Sequence, residues 1–303
     1  MTSGAVWEVP EPLSVDDVLH DDGSLTRVRR HGNPRGRRLL VGHGNGLAVD
    51  LYYPFWSRFL DDFDVFVYDL RNHGWNATGA RSEHNVPNMI RDQEQVVETV
   101  GARYGTAPTV GVFHSLSALT ALLSDSLGTG RTGQLAAWIL FDPTLFKPRL
   151  GEAEYDKSAA RSAELAPRRP DRFRRESEFS ELLHHLVLTR AVPGAADLMA
   201  STVLRESADG GVELRCPREY EAQIFAYART YAFLVDLGSL PCPTKVIGSD
   251  PTLTFSYMPS FNLSHINTVD YDFIPQSTHF LQVEQPEECV DLMCEFLEGH
   301  DLL

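Results

Sequence analysis

The amino-acid sequence predicts an α/β protein with a mostly parallel, doubly wound sheet and an inserted helical cap. Several short β-branched or aromatic runs recur along the chain, separated by segments with helical periodicity. Most of these runs are apolar on both sides, as strands covered on both faces must be. The alternation stops between residues 146 and 240 and then resumes, which places the insertion between two core strands.

Six of the runs are predicted as core strands because each is short and apolar. They span residues 38–41, 64–68, 109–113, 137–141, 245–247 and 269–273. Stretches with apolar residues at helical spacing lie between them, and these predict helices at residues 51–60, 90–104, 115–127 and 287–297. This order of elements is typical of a sheet with helices on both faces.

The inserted segment is rich in helix formers and holds no strong strand run, apart from a turn at residues 209–211. We therefore divide the chain into a core, residues 1–145 and 241–303, and a helical cap, residues 146–240. The cap contains a cluster of arginines in an otherwise acidic protein. A solvated helix surface is the default interpretation, whereas inward-facing arginines would suit a substrate that carries a carboxylate. These arginines are Arg161, Arg168, Arg169, Arg172, Arg174 and Arg175.

The charge balance excludes several function classes. The 303-residue chain contains 27 Lys and Arg against 42 Asp and Glu, a formal net charge of −15 at pH 7. An acidic surface repels phosphate groups, so we expect neither nucleic acid nor an anionic membrane as a partner. No apolar run approaches the ~20 residues that span a bilayer, and the N-terminal stretch lacks the pattern of a secretory signal. The expected location is the cytoplasm.

The cysteines and histidines do not form a metal-binding pattern. No two cysteines have CxxC spacing and none has a histidine partner, so we expect buried thiols rather than a zinc site. The pair His184-His185 is a poor chelate, since adjacent side chains on a helix point about 100° apart. We expect no metal and no organic cofactor. The cysteines are Cys216, Cys242, Cys289 and Cys294.

A serine lies at the point where a predicted strand turns into a helix. The stretch TVGVFHSLSALTALL, residues 109–123, changes from a β-branched run to an Ala/Leu-rich helical run around Ser115. A side chain at such a turn is accessible, and the free amides at the start of the helix can stabilise an oxyanion. A nucleophile needs both properties. The alternative is that Ser115 only caps the helix.

Three further motifs follow predicted strands. The glycine-rich turn GHGNG, residues 42–46, has amides suited to stabilise negative charge, although such glycines often only form turns. His279 could act as a general base or face solvent. Asp250 could orient the imidazole or be a turn residue before proline. Because all of these follow strands of one parallel sheet, we expect Ser115, Asp250 and His279 to meet at one edge.

These motifs resemble those of the α/β-hydrolase superfamily over nearly the whole chain. LLVGHGNG stands at the glycine-rich turn, DLRNHG is similar to the family's DLRGHG, FHSLSA to its GHSLGG, and THFLQVEQPEE to its C-terminal histidine motif. LFDP follows a predicted strand just before the insertion. The segments PRRPDRF and VELRCPREYEAQIF look like the helical cap of serine esterases in this superfamily. The resemblance implies the α/β-hydrolase fold.

The resemblance also implies roles for individual residues. Ser115 would be the nucleophile, His279 the base and Asp250 the acid. The backbone amides of Asn45 and Leu116 would form the oxyanion hole.

Three other positions qualify this assignment. His43 would support the glycine-rich loop rather than perform chemistry. Asp142 is the alternative acid, because a minority of the family takes its acid from the strand before the cap. Phe113 stands where the family has glycine, so its side chain must point away from the turn or widen it.

The implied activity is hydrolysis of a carboxylic ester through an acyl-enzyme, with a small or medium, partly apolar substrate. If cap arginines face inward, a monoalkyl ester of an aromatic diacid becomes a candidate. Aromatic residues are expected to line the pocket, although each one alone is more often core packing. The candidates are Phe113, Trp75, Phe146 and Phe280, followed by Phe225 and Tyr227.

The same three side chains also suit other functions. Carbon-carbon bond hydrolases acting on diketones, cofactor-free perhydrolases and thioesterases use a similar set, and a binding protein can keep the fold without turnover. A dehalogenase or an epoxide hydrolase is disfavoured, because those enzymes need a carboxylate where this chain has Ser115. The expected partner is a small-molecule ester. The oligomeric state stays open, with a homodimer as one candidate.

Overall fold

The computed structural model describes residues 7–127, 134–145, 152–253, 263, 264 and 266–303. An eight-stranded sheet forms its centre, in the spatial order β1-β2-β4-β3-β5-β6-β10-β11. The two strands at one edge, β1 and β2, run antiparallel to their neighbours, and the other six are parallel. The strands of this sheet are β1 (Ser14–Leu19), β2 (Leu25–Gly32), β3 (Arg37–Gly42), β4 (Phe63–Tyr68), β5 (Thr109–His114), β6 (Ala137–Phe141), β10 (Thr244–Gly248) and β11 (Asp270–Phe273).

Helices follow the parallel strands, as the sequence predicts. They are α1 (Tyr53–Trp56), α2 (Val86–Tyr104), α3 (Leu116–Ser126), α4 (Glu152–Leu165), α5 (Glu176–Leu186), α6 (Ala195–Val203), α7 (Arg218–Phe233), α8 (Leu281–Glu284) and α9 (Pro286–Gly299). The start of α2 shows how the sequence sets a boundary, since the Asn85 side chain accepts a hydrogen bond from the amide of Asn88 and Pro87 lies in the first turn. Among the described residues, no helix combines the length and the apolar character needed to cross a membrane.

Both faces of the sheet are buried, because neighbouring residues on a strand point to opposite sides. On β3, Leu39 and Val41 pack in a cluster with residues of α1, α6 and α9, whereas Leu40 packs with residues of α2 and α3. All three side chains are essentially inaccessible to solvent. The predicted α/β fold with a mostly parallel sheet is confirmed, and each of the six predicted core strands is present.

The structure also contains strands that the sequence pattern does not indicate. The edge strand β1 alternates exposed and half-buried residues, so it lacks the continuous apolar run used to find the core strands. Within the inserted segment, a small antiparallel sheet forms from β7 (Arg172–Phe173), β9 (Val212–Leu214) and β8 (Leu204–Glu206). Its hairpin encloses the turn predicted at residues 209–211. The insertion is therefore helical with a small sheet, and the proposed domain boundaries stay a prediction.

The burial of β3 predicts a large effect of a single truncation there. Leu39→Ala should lower the free energy of unfolding by about 2–5 kcal/mol, because it leaves a cavity between the sheet and its helices. Leu19→Ala is the matched control, since Leu19 is 67% exposed at the edge of the sheet, and its effect should stay within about 0.5 kcal/mol. Urea denaturation followed by circular dichroism measures both. Equal losses in the two variants would contradict the assignment of the core.

Candidate active site

Ser115 lies at a sharp turn between β5 and α3, near the centre of the sheet. Its backbone has φ 52° and ψ −108°, a conformation that non-glycine residues rarely adopt. Such a residue costs of order 1–3 kcal/mol and is maintained only when its surroundings hold it. The amide of Ser115 donates to the carbonyl of Phe141 at 3.0 Å, and its carbonyl accepts from Leu119 at 2.9 Å. The sheet and the helix therefore both fix the serine.

The residues on either side of this turn show how the chain accommodates Phe113 at a position where the family has glycine. The Phe113 side chain is fully buried among residues of α2 and α3, with its ring in the space left by Gly111. On the other side, the Ser117 hydroxyl accepts from the amide of His114 and donates to its carbonyl, both at 3.0 Å. Phe113 therefore points away from the turn, and the phenyl ring fits because residue 111 has no side chain.

His279 connects Ser115 to a carboxylate. Its Nε2 lies 2.9 Å from the hydroxyl oxygen of Ser115, and its Nδ1 lies 2.5 Å from Oδ2 of Asp142. The three side chains are only 5–7% exposed. An imidazole held in this way can accept the proton of the hydroxyl, while the carboxylate fixes the tautomer and stabilises the imidazolium.

The carboxylate on His279 belongs to Asp142, so the contact expected for Asp250 is not formed. Asp142 follows β6, the immediate neighbour of β5, and its oxygens accept from the amide and the hydroxyl of Ser249 at 3.2 and 3.0 Å. Asp250 is one strand further away. Its carboxylate instead accepts from Thr252 at 2.6 and 2.9 Å and from the amide of Gln276 at 2.8 Å. These hydrogen bonds lower the pKa of Asp250. Its carboxylate therefore joins the loop that follows β10 to the loop that precedes His279.

The glycine-rich loop after β3 packs directly against the serine. A Cβ on Gly44 would lie 3.0 Å from Nδ1 of His114 and 3.2 Å from the Cβ of Ser115, so a larger residue there would have to displace these neighbours slightly. Within the described part of the chain, the backbone amides of Asn45 and Leu116 have no protein acceptor. Amides in this position are suited to hold a developing oxyanion.

The histidine of the glycine-rich loop is a fully buried support, as the resemblance implied. Nδ1 of His43 lies 2.7 Å from the carbonyl of Gly44, and its Nε2 accepts from the amide of Leu70 at 2.9 Å. Burial lowers the pKa of His43, which favours the neutral ring that can both donate and accept. The side chain therefore ties the loop to the segment after β4.

Sequence reasoning missed two further buried side chains that join the loops around Ser115. Nε2 of His114 lies 2.8 Å from the carbonyl of His279, and its Nδ1 lies 2.7 Å from the hydroxyl of Tyr52. That hydroxyl in turn accepts from the amide of Gly44 at 3.3 Å. Burial lowers the pKa of His114 well below its usual value, so the neutral ring donates through Nε2 and accepts through Nδ1. No spacing signal in the sequence links Tyr52 to these positions.

Ser115 and His279 open into a cavity of about 300 Å³. Its wall is largely apolar and draws on α3, the inserted segment and the loop before α8. The side chains that form most of it are Leu119, Phe179, Leu183, Met199, Val203, Leu214, Ile224, Phe225 and Phe280. In the described part of the chain, no group of three His, Cys, Asp or Glu residues is arranged to hold a metal ion.

The pocket contains some of the predicted aromatic residues and not others. Phe280 lines it, as does Phe225. Phe113 does not, because its ring lies in the core, and Trp75 instead stacks on the buried guanidinium of Arg29 at 4.4 Å. Tyr227 is 53% exposed and does not contribute. Phe146 lies outside the described residues.

One of the predicted cap arginines faces this cavity. Arg169 lines it together with Glu221, and the two side chains form an ion pair in which Arg169 is 43% exposed and Glu221 is 7% exposed. The others with described surroundings point to solvent, in agreement with the default interpretation of surface charge. Arg168, Arg172 and Arg174 have side chains that are 59–92% exposed.

Comparison with known proteins agrees with this architecture. A model of the Alpha/beta hydrolase family matches residues 16–292, and the chain belongs to that family. Among solved structures, E-2-(acetamidomethylene)succinate hydrolase is similar with a TM-score of 0.75 at 16% identity, over 94% of this chain and 99% of that one. The thioesterase domain from the curacin biosynthetic pathway has a TM-score of 0.68 at 15% identity, over 93% of this chain and 99% of that one. The peroxisomal α/β-hydrolase Lpx1 from Saccharomyces cerevisiae has a TM-score of 0.66 at 18% identity, over 99% of this chain and 87% of that one.

The family match confirms the resemblance read from the sequence motifs. At these identities the solved structures share the fold with this chain, and they leave its substrate open. The family supports a hydrolase, and the chemistry of this particular member must be argued from its own side chains.

The two aspartates are separable by experiment. Asp142→Asn should lower kcat for an ester substrate by about 10⁴-fold, because an amide cannot stabilise the imidazolium and favours the wrong tautomer of His279. Asp250→Asn is the matched control and should retain most of the activity, since the carboxylate of Asp250 bonds to Thr252 and Gln276 and, among the described residues, forms no bond to His279. Steady-state kinetics on both variants measures this difference. The reverse order of activities would restore Asp250 as the acid.

Proposed function

We propose that this protein is a serine hydrolase that cleaves carboxylic esters through an acyl-enzyme. One observation carries the proposal: the hydroxyl of Ser115, the imidazole of His279 and the carboxylate of Asp142 form one hydrogen-bonded line that opens into an apolar cavity. The strained backbone of Ser115 supports it, because strain of this kind clusters at functional sites.

In the first half of the reaction, Nε2 of His279 takes the proton of Ser115 as the serine oxygen attacks the ester carbonyl. The carbonyl oxygen becomes negatively charged, and the amides of Asn45 and Leu116 are placed to hold it. Asp142 stabilises the resulting imidazolium through Nδ1. His279 then gives the proton to the leaving alcohol, and the acyl group stays on Ser115.

In the second half, the neutral His279 removes a proton from water, which attacks the acyl carbonyl. The same amides hold the second oxyanion, and collapse releases the carboxylic acid and returns the proton to Ser115. Every proton in this scheme passes through His279. The scheme uses side chains of this chain alone.

The lining of the cavity favours an uncharged ester with an apolar group of medium size. Its apolar side chains supply the burial energy, at about 25 cal/mol for each Å² removed from water. Arg169, the one arginine that the described residues contribute to the wall, is already paired with Glu221, which disfavours the monoalkyl ester of an aromatic diacid. Leu182, Leu186 and Val187 line the cavity and are also 36–70% exposed, so a longer chain can leave along α5.

Covalent labelling tests the nucleophile. A fluorophosphonate probe should react at Ser115, located by peptide mass spectrometry, and Ser115→Ala should lose labelling together with at least about 10⁴-fold of ester turnover. Ser201→Ala is the matched control, because its hydroxyl bonds only to the carbonyl of Leu198 in α6. A folded wild-type protein that neither labels nor turns over esters would contradict the proposal and favour a binding role.

Chain length tests the substrate class. With p-nitrophenyl esters, kcat/KM should rise from the acetate to acyl chains of medium length, since each buried methylene contributes about 0.8 kcal/mol. Matched thioesters and a vinylogous diketone form the comparison set. Preference for the diketone over every ester would replace the esterase assignment with carbon-carbon bond hydrolysis, and preference for the thioesters would indicate a thioesterase.

A further inference from the structure

A buried carboxylate lies against the glycine-rich loop beside the serine. The side chain of Glu221, on α7, is only 7% exposed. A Cβ placed on Gly46 would lie 2.7–3.0 Å from the carboxyl atoms of Glu221, so the carboxylate packs directly on that residue. The main-chain oxygen of Glu221 also accepts from the side-chain amide of Asn45 at 3.1 Å. Gly46 immediately follows Asn45, whose backbone amide is one of the two oxyanion donors proposed above.

This placement poses an electrostatic problem for the reaction. The transition state develops negative charge at the amides of Asn45 and Leu116, and a second negative charge one residue away would oppose it. The opposition is strong because Ser115 and the side chain of Glu221 are each only 7% exposed, which weakens the screening of their charges by water. The cavity that opens from Ser115 therefore needs a positive charge close to Glu221.

Arg169 supplies that charge. Its guanidinium contacts Oε2 of Glu221, and it lines the same cavity. Both side chains lie near the thiol of Cys216, whose pKa is raised by burial and by Glu221 and lowered by Arg169. The carbonyl of Arg169 accepts from the side chain of Arg218 near the start of α7, which holds the two elements together.

We propose that Arg169 neutralises Glu221 at the oxyanion loop, and that this pair both protects transition-state stabilisation and limits the pocket to uncharged substrates. The proposal rests on the esterase function proposed above. Arg169 acts through Glu221 and the loop, so it is a positioning residue that sets electrostatics rather than a group that touches the reacting atoms.

The other titratable groups near Glu221 are expected to keep one charge state over the pH range of interest. Burial, as its largest cause, raises the pKa of Cys216 well above its usual value, so it stays a thiol. His73 accepts from the amide of Gly46 at 3.0 Å, and burial lowers its pKa, so it stays neutral. Arg218 pairs with Glu219 and Asp171, and its charge is constant. Among these described groups, Glu221 is therefore the one whose charge we expect to depend on pH once Arg169 is replaced.

The sign of the pH effect follows from burial. Desolvation raises the pKa of a buried carboxyl, and the positive charge of Arg169 opposes that shift at Glu221. In Arg169→Gln, Glu221 should be neutral at low pH and charged at high pH, so the loss of activity should appear only as pH rises. Dividing the kcat of the variant by that of the wild type at each pH removes the pH dependence that both proteins share.

The experiment compares Arg169→Gln, Glu221→Gln, the double variant and Arg168→Gln with the wild type, using p-nitrophenyl butyrate between pH 5.5 and 9. Arg168→Gln is the matched control, because Arg168 is exposed and pairs with Glu164 on the surface. The kcat ratio for Arg169→Gln should fall to about one tenth at high pH and return toward one at low pH. Most of that loss should be recovered in the double variant, which has no charge at position 221.

Substrate charge supplies a readout that a purely structural role would not move. For the mono(p-nitrophenyl) ester of glutaric acid relative to the butyrate, kcat/KM should rise about tenfold in Glu221→Gln and fall in Arg169→Gln. A loss that is equal at all pH values and persists in the double variant, with unchanged substrate-charge preference, would overturn the proposal. A wild type without ester turnover or fluorophosphonate labelling would instead refute the proposed function itself.

Discussion

The site depends on one backbone conformation, that of Ser115 at the junction of β5 and α3. The positive φ makes the sharp turn at which strand β5 ends and α3 begins with Leu116, and the hydroxyl at this turn meets Nε2 of His279. Hydrogen bonds from the neighbouring strand and the first helical turn maintain this strained backbone conformation. Gly44 packs closely against this turn, where a Cβ would lie 3.2 Å from that of Ser115, and Phe113 turns into the core beside Gly111. These local requirements follow from a single constrained residue.

The position of the acid follows from strand adjacency. In the sheet, β6 lies between β5 and β10, so a residue that follows β6 is nearer to the serine than one that follows β10. Asp142 occupies that nearer position, and its carboxylate accepts hydrogen bonds from Ser249, the residue just before Asp250. The strand that was expected to provide the acid therefore provides its support. Asp250 in turn fastens the loop that precedes His279, through the amide of Gln276.

Buried neutral histidines form the polar frame around this site. His114 links the carbonyl of His279 to Tyr52 and so to the glycine-rich loop, while His43 and His73 hold that loop from its other side. Burial lowers the pKa of each of the three rings. A neutral imidazole offers one donor and one acceptor, which lets it join two loops without placing a charge near the proposed oxyanion site.

The sequence by itself determined the α/β fold, the six core strands, the junction at Ser115 and the glycine-rich loop, because apolar periodicity and local turn chemistry are properties of neighbouring residues. The family followed from the resemblance of its motifs to those of known α/β-hydrolases. The three-dimensional contacts decided that Asp142 rather than Asp250 meets His279, that Tyr52 and His114 join the loops, and that only some of the predicted aromatics reach the pocket. They also decided that Arg169 faces Glu221. Each of these outcomes depends on which strands and loops become neighbours across more than 20 residues of chain, and no local pattern encodes that distance.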